Sequence, residues 1–330
     1  MRTLLQPALW ALLLFLSACG PETDRGDNHP PADTPPPAKP TLQVPTFNAD
    51  SAYAHIQTQL AFGPRVPMTP AHARCADWLA GKLRGYGLET QVQQATIQDH
   101  RKRPLALKNI IASYNPQAQV RVMLSAHWDT RPVADADTKR QGEPIPGAND
   151  GASGVAVLLE IARLLPGSQL PIGVDIMLWD AEDGGESNND ESWCHGSRYW
   201  ARNRHKAGYS PAWGINLDMV GAKGATFLQE GFSRQSAPQL VKRIWQNAAQ
   251  LGYGQYFLFA TFPPILDDHA VVGNLLGIPY VDIIHLNLED QSKTFFEHWH
   301  THGDDLPAID RGTLRAVGHT VLYTLFQEPV

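Results

Sequence analysis

Acidic and imidazole side chains collect at a few points of this sequence, most of them just after an apolar run. The fullest case is Val174-Asp175-Ile176-Met177-Leu178-Trp179-Asp180-Ala181-Glu182-Asp183-Gly184-Gly185, where a mostly apolar stretch runs into three carboxylates and two glycines. His127 and Asp129 follow Val120 to Ala126, Asp218 follows Trp213 to Leu217, and Asp282 stands inside Ile278 to Ile284. Asp150, Asp267-Asp268-His269 and Trp299-His300-Thr301 fall in stretches with loop character. Gathered in one place with no matching Lys or Arg, such groups repel unless a cation sits among them. A mixed carboxylate and imidazole set without thiolates suits zinc, with three protein ligands and an open position for catalysis.

Each residue also has a plainer reading. Asp150 can cap the helix that follows it, Asp218 and Glu182-Asp183 can be turn residues at strand ends, and His300 can be a packed neighbour of Trp299. For His269 the plainer reading, a satisfied histidine at a helix start, is preferred. What decides is whether the elements carrying these residues share one edge. Apolar spacing predicts helices over 50–60 and 71–86, and alternation from Leu88 predicts strands. Strands are expected at 120–126, 174–179, 213–221 and 278–284. Helices are expected from near Asp150, after Gly196-Ser197-Arg198, over 238–251 and over 312–326. Alternating strands and helices give a single α/β domain with a mostly parallel central sheet covered by helices on both faces. In such a sheet ligands sit beyond the carboxyl ends of the strands, so the acids can converge.

The domain is expected over 47–330. Ahead of it, Met1-Arg2 and the apolar run Leu4 to Leu16 close on Leu16-Ser17-Ala18-Cys19-Gly20. That run is too short to span a membrane and has the layout of a secretory signal. The small residues before Cys19 resemble a bacterial lipoprotein signal over 1–19, which implies lipidation of Cys19. Gly20 in place of an Asp favours outer-membrane anchoring on the periplasmic side. Residues 20–46, rich in Pro, Asp and Thr, read as an extended tether. Of 330 residues 43% are hydrophobic, which allows a sizeable core, and the net charge of −6 without a basic stripe argues against nucleic acid. Cys75 and Cys194 lie in a compartment that permits disulfides, and spacing does not say whether they pair; two free buried thiols are the expectation.

In order, His127-x-Asp129, Gly147-Ala148-Asn149-Asp150, Asp180-Ala181-Glu182-Asp183, Leu217-Asp218-Met219, Asp267-Asp268-His269 and Trp299-His300-Thr301 resemble the zinc aminopeptidase superfamily. Within it they resemble most the glutaminyl-peptide cyclotransferase branch in its bacterial form. The resemblance spans nearly the whole domain and implies a zinc-exopeptidase-like fold. It also implies Asp150, Asp183 and His300 as zinc ligands, Glu182 as general acid and base, Asp218 and Asp267 as further catalytic carboxylates, and Trp299 as a pocket wall. Two positions depart from the animal cyclases, which carry Glu at Asp183 and His at Asp282. Asp remains a sound oxygen ligand, whereas the second change leaves Asp282 without an assigned role.

The implied reaction cyclises the N-terminal Gln of a peptide to pyroglutamate with loss of ammonia, using one zinc. Trp193, Trp299, Phe295 or Phe296 would enclose the Gln side chain. The rival is a two-zinc aminopeptidase, in which His127 and Asp218 bind a second metal and Asp150 bridges. An acid at Asp267, where those peptidases more often have Ser, and the Trp193-Cys194-His195-Gly196-Ser197-Arg198 stretch favour the cyclase. A non-catalytic tethered binding protein is the third possibility; loss of Glu182 or a ligand would mark it, and none is lost.

Overall fold

The central strand of the sequence argument, β4 (Gly173–Trp179), is buried along its whole length. Its side chains alternate between two apolar layers: Val174, Ile176 and Leu178 join one core cluster, Met177 and Trp179 the other. Strands buried on both faces need helices on both sides. On the first face lie α1 (Ala49–Ala61), α2 (Pro70–Gly85), α3 (Ala152–Leu164), α6 (Pro238–Gln250) and α8 (Arg311–Phe326). On the second lie α4 (His195–Arg202) and α7 (Asp268–Leu276), which supply Trp200, Ala201 and Val272 to the second cluster. The structure, a computed structural model, describes residues 43–287 and 294–328. The signal and lipid-anchor expectations at 1–19, and nearly all of the tether, lie outside them. Among the described residues no helix is long and apolar enough to cross a membrane.

The six-stranded sheet has the order β1-β2-β4-β3-β5-β8. β3 (Arg121–His127), β4, β5 (Gly214–Asp218) and β8 (Tyr280–Ile284) run parallel. The edge departs from the parallel expectation, because β1 (Glu89–Gln98) and β2 (Pro104–Tyr114) form a hairpin antiparallel to each other and to β4. From β3 the chain crosses to β4 on one side and later returns to β5 on the other. The order therefore reverses at the end of β3, where open α/β sheets hold their ligands. There α3 presses on β5 so closely that a Cβ on Gly154 would stand 2.2 Å from the Leu217 carbonyl oxygen.

A second, two-stranded sheet of β6 (Phe227–Gln229) and β7 (Phe257–Thr261), and α5 (Gly231–Ser236), had no sequence signal; they are too short to show a period. One expected boundary is corrected. α4 begins at His195, ahead of Gly196, with Cys194 as its left-handed cap.

Candidate active site

His127 at the end of β3, Glu182 and Asp183 just beyond β4, and Asp218 at the end of β5 meet above the point where the strand order reverses. Loops bring Asp150, Asp267 and His300 to the same edge. A cavity of about 240 Å³ opens there, lined by Asp150, Glu182, Asp183, Asp218, Asp267 and His300, with Trp193, Phe295 and Trp299 among its walls. Of the site residues expected from the sequence, Trp193 and Trp299 and all six acids and imidazoles just named line it, and His127 touches it through Asp150 and Asp218. Four non-glycine residues around it, Ala181, Cys194, Met219 and His300, have left-handed backbones with φ between 51° and 58°. Such conformations cost on the order of 1 kcal/mol each and persist where surrounding structure imposes them.

Two clusters share Asp150. In the first, Asp150, Asp183 and His300 each present a ligand atom within 4.8 Å of the others. His300 Nε2 lies 3.2 Å from Asp183 Oδ1 and 3.9 Å from Asp150 Oδ2, and Asp183 Oδ2 is buried with no hydrogen-bond partner. Burial, and then the charge of Asp150, raise the Asp183 pKa from its usual value. Burial alone would lower His300, but Asp183 and Asp135 raise it to about 9. An orphaned buried carboxylate oxygen facing an imidazole and a second acid fits a divalent cation, and this donor set fits zinc. In the second cluster His127 Nε2 stands 3.1 Å from Asp150 Oδ1 and 3.2 Å from Asp218 Oδ1. Against burial, which lowers it, Asp129, Asp150 and Asp218 hold the His127 pKa well above its usual value. Burial, together with Asp150 and Asp267, raises Asp218 to about 7.

Glu182 faces the cavity between these clusters. Burial first, and the charges of Asp183, Asp267 and Asp268, push its pKa well above the ordinary carboxylate value. A raised carboxyl of this kind has the chemistry to act as either acid or base. The plainer readings resolve one by one. Gly151, not Asp150, is the residue before α3, and it makes no side-chain cap. His300 does stack on Trp299, with ring centroids 3.6 Å apart, but it is buried at the cavity. His269 does stand at the start of a helix, but it is only half satisfied: Nε2 pairs with Glu230 at 3.1 Å, while Nδ1 is buried without a hydrogen bond, 3.5 Å from Asp282. Phe295 lines the cavity, whereas Phe296 turns into a core cluster and is corrected out of the pocket. Cys75 and Cys194 are both free and buried.

Several residues were missed. Asp129 accepts the backbone N–H groups of Glu182 (3.0 Å) and Asp183 (3.2 Å), fixing the loop that carries both. Asp304 does the same for Asn149 (2.7 Å) and Asp150 (3.1 Å). Asp135 lies 3.1 Å from His300 Nδ1 and orients that ring. The expectation of no matching cation is also wrong. Arg131 reaches within 3.8 Å of Asp183 Oδ1, donates to the Asp183 carbonyl at 3.0 Å and pairs with Asp135 at 2.6 Å. Only Asp129 had a signal, its place beside His127 at a strand end. Asp282 is buried beside Asp267 and His269, so it belongs to the acid network behind the cavity.

A mostly parallel sheet with an acid-and-imidazole cluster at its reversal point, covered by helices, defines a metal-dependent enzyme of the zinc-exopeptidase type. Residues 109–325 match Peptidase family M28, and the chain belongs to that family. The solved glutaminyl cyclase of Porphyromonas gingivalis is 51% identical with a TM-score of 0.83, over 84% of this chain and 98% of that one. A Zn-dependent exopeptidase from Parabacteroides distasonis is 44% identical with a TM-score of 0.84, over 87% and 100%. The glutaminyl-peptide cyclotransferase of Drosophila melanogaster is 27% identical over 76% of this chain and 73% of its own.

Proposed function

We propose that the protein is a glutaminyl-peptide cyclotransferase, converting the N-terminal Gln of peptides to pyroglutamate and releasing ammonia. One observation carries this reading. Glu182, Asp218 and Asp267 open into a single small cavity beside Asp150, Asp183 and His300, in a chain 51% identical to a solved glutaminyl cyclase. Asp150, Asp183 and His300 would hold one zinc, which when bound supplies Lewis-acid polarisation of the Gln side-chain carbonyl. The α-amine nitrogen forms a bond to the side-chain amide carbon, and the bond from that carbon to the amide nitrogen breaks. Glu182 takes one proton from the amine and returns it to the departing nitrogen as ammonia, so no water is consumed. Asp218 and Asp267 steady the two nitrogens, and Trp193, Phe295 and Trp299 keep the side chain curled against its own amine. That restraint supplies much of the rate, because an intramolecular attack needs little further ordering. Cys19 would tether the enzyme to the outer membrane on its periplasmic side.

The second reading is a two-zinc aminopeptidase. It is favoured by the meeting of His127, Asp150 and Asp218 and by the exopeptidase named among the similar structures. The full-length, zinc-loaded protein is to be incubated with a Gln-initiated peptide and with a Leu p-nitroanilide while bound zinc is counted. Pyroglutamate and ammonia with a single zinc are expected; free Leu with a second zinc would replace the cyclase by the peptidase. Glu182→Gln should abolish turnover and keep the metal, and surviving activity would remove Glu182 from the proton-carrying role.

A further inference from the structure

We propose that Cys194 is a positioning residue whose thiol aims the Glu182 carboxylate into the cavity. The inference rests on the reading of Glu182 as the proton carrier. Cys194 Sγ donates to Glu182 Oε1 at 3.3 Å, and among the described residues this is the sole hydrogen bond to that carboxylate. The Glu182 main chain is gripped separately, its N–H by Asp129 at 3.0 Å and its carbonyl by the Cys194 N–H at 3.1 Å. Backbone contacts thus fix the Cα, and the remaining side-chain rotation is left to the thiol.

The placement of the thiol is itself imposed. Cys194 has a left-handed backbone (φ 58°) immediately before α4, and the His195 N–H donates to the Ala181 carbonyl at 3.0 Å. Gly196 lies so close beneath that a Cβ there would stand 2.2 Å from the Asp180 carbonyl oxygen. The start of α4 is therefore pressed onto the segment that carries Glu182. Cys194 is fully buried, and burial together with the Glu182 charge pushes its thiol well above the usual range. Facing the Glu182 carboxylate, the thiol is the donor. Its sulfur also lies within 4.8 Å of both Glu182 and Asp267, a neutral group among acids. A thiol suits this place because it tolerates full burial better than a hydroxyl and still offers a weak donor.

The test compares Cys194→Ala with Cys194→Ser in the full-length, zinc-loaded protein. Loss of one such hydrogen bond predicts a fall in kcat of roughly three- to tenfold for the alanine variant. KM, bound zinc and Tm should stay near wild type, and the serine variant should recover most of the loss. Equal kcat values for alanine and serine, or a KM that moves with kcat, would overturn the proposal. Infrared spectroscopy reads the bond without turnover. The S–H stretch that disappears in Cys194→Ser should shift to higher frequency in Glu182→Ala, and an unmoved band would also overturn it. If the wild type releases Leu instead of forming pyroglutamate, the same variants are read on that substrate, since Glu182 moves the proton there too. Failure of the cyclase reading is then distinct from failure of this one.

Discussion

The two clusters that share Asp150 look alike as inventories and differ as structures. In Asp150–Asp183–His300, each ligand is held from outside by another group, and Asp183 Oδ2 is left without a hydrogen-bond partner. Asp135 takes His300 Nδ1, Asp129 takes the Asp183 N–H, and Asp304 takes the Asp150 N–H. In His127–Asp150–Asp218, the members hold one another. His127 Nε2 is spent on two carboxylates, while its outer Nδ1 is buried without a hydrogen bond, 3.6 Å from Asp129. A metal-binding histidine almost always donates its outer nitrogen to a carboxylate or carbonyl, which fixes its orientation. His300 has that support 3.1 Å away in Asp135, whereas the carboxylate nearest His127 Nδ1, Asp129, stands off at 3.6 Å. This difference favours the first cluster as the cation site; in the second the His127 imidazole sits between two carboxylates.

The largest expected effect breaks this symmetry outright. Asp183→Ala should leave the chain without zinc at micromolar metal and without measurable turnover. His127→Ala should keep its single zinc, though it leaves Asp218 with one fewer partner and so lowers activity. Metal analysis after gel filtration decides. If His127→Ala loses metal while Asp183→Ala retains it, the two clusters have been assigned the wrong way round.

A smaller change sharpens the comparison without touching a ligand. Asp135 pairs with both His300 Nδ1 (3.1 Å) and Arg131 Nη2 (2.6 Å). Against burial, which would raise it, these bonds hold its pKa below the usual carboxylate range. Removing such an outer support typically costs about 10- to 100-fold in metal affinity. Asp135→Asn should weaken zinc binding by that factor in a competition titration with a fluorescent chelator. An equal loss from Asp129→Asn would be a backbone effect, because Asp129 grips the Glu182 and Asp183 amides instead. An unchanged affinity in Asp135→Asn would show that the support is not needed.

The difference also explains what could be read in the sequence. The ligands were legible because each ends an apolar run or stands in a loop with a recognisable neighbour: Val174 to Trp179 announces Glu182-Asp183, and Trp299 marks His300. A parallel sheet brings strand ends together whatever their separation in sequence. The supports were not legible, because Asp135 and Asp304 act from loops on a ring nitrogen and on backbone amides, which leaves no period or spacing to find. Phe295 and Phe296 show the same limit at one-residue scale, since composition cannot tell which ring faces the cavity. Asp282 and His269 show it in three dimensions. A position that lost an imidazole relative to the animal enzymes still has one 3.5 Å away, delivered by α7.

The smallest effect per step separates the clusters by their protons. In the metal-free chain burial works against His300, but Asp183 and Asp135 raise its pKa to about 9. Below that pH the ring is protonated and zinc must displace the proton, because the ligand is the neutral imidazole. Apparent zinc affinity should therefore climb about tenfold per pH unit from 7 towards 9 and level off above it. The sign for stability is the opposite. A histidine whose folded pKa lies above its unfolded value stabilises the fold fully below the unfolded value, and that contribution is lost as pH rises through the folded one. The metal-free chain should then melt at a lower temperature at pH 9 than at pH 6.5, while the zinc-loaded chain should lose less, since the metal replaces the proton. Measured in Asp135→Asn, the affinity slope should level off at a lower pH, because one of the charges holding the His300 proton is gone. Measured in His127→Gln, it should persist. A slope that vanishes in His127→Gln and stands unaltered in Asp135→Asn would move the metal to the other side of Asp150.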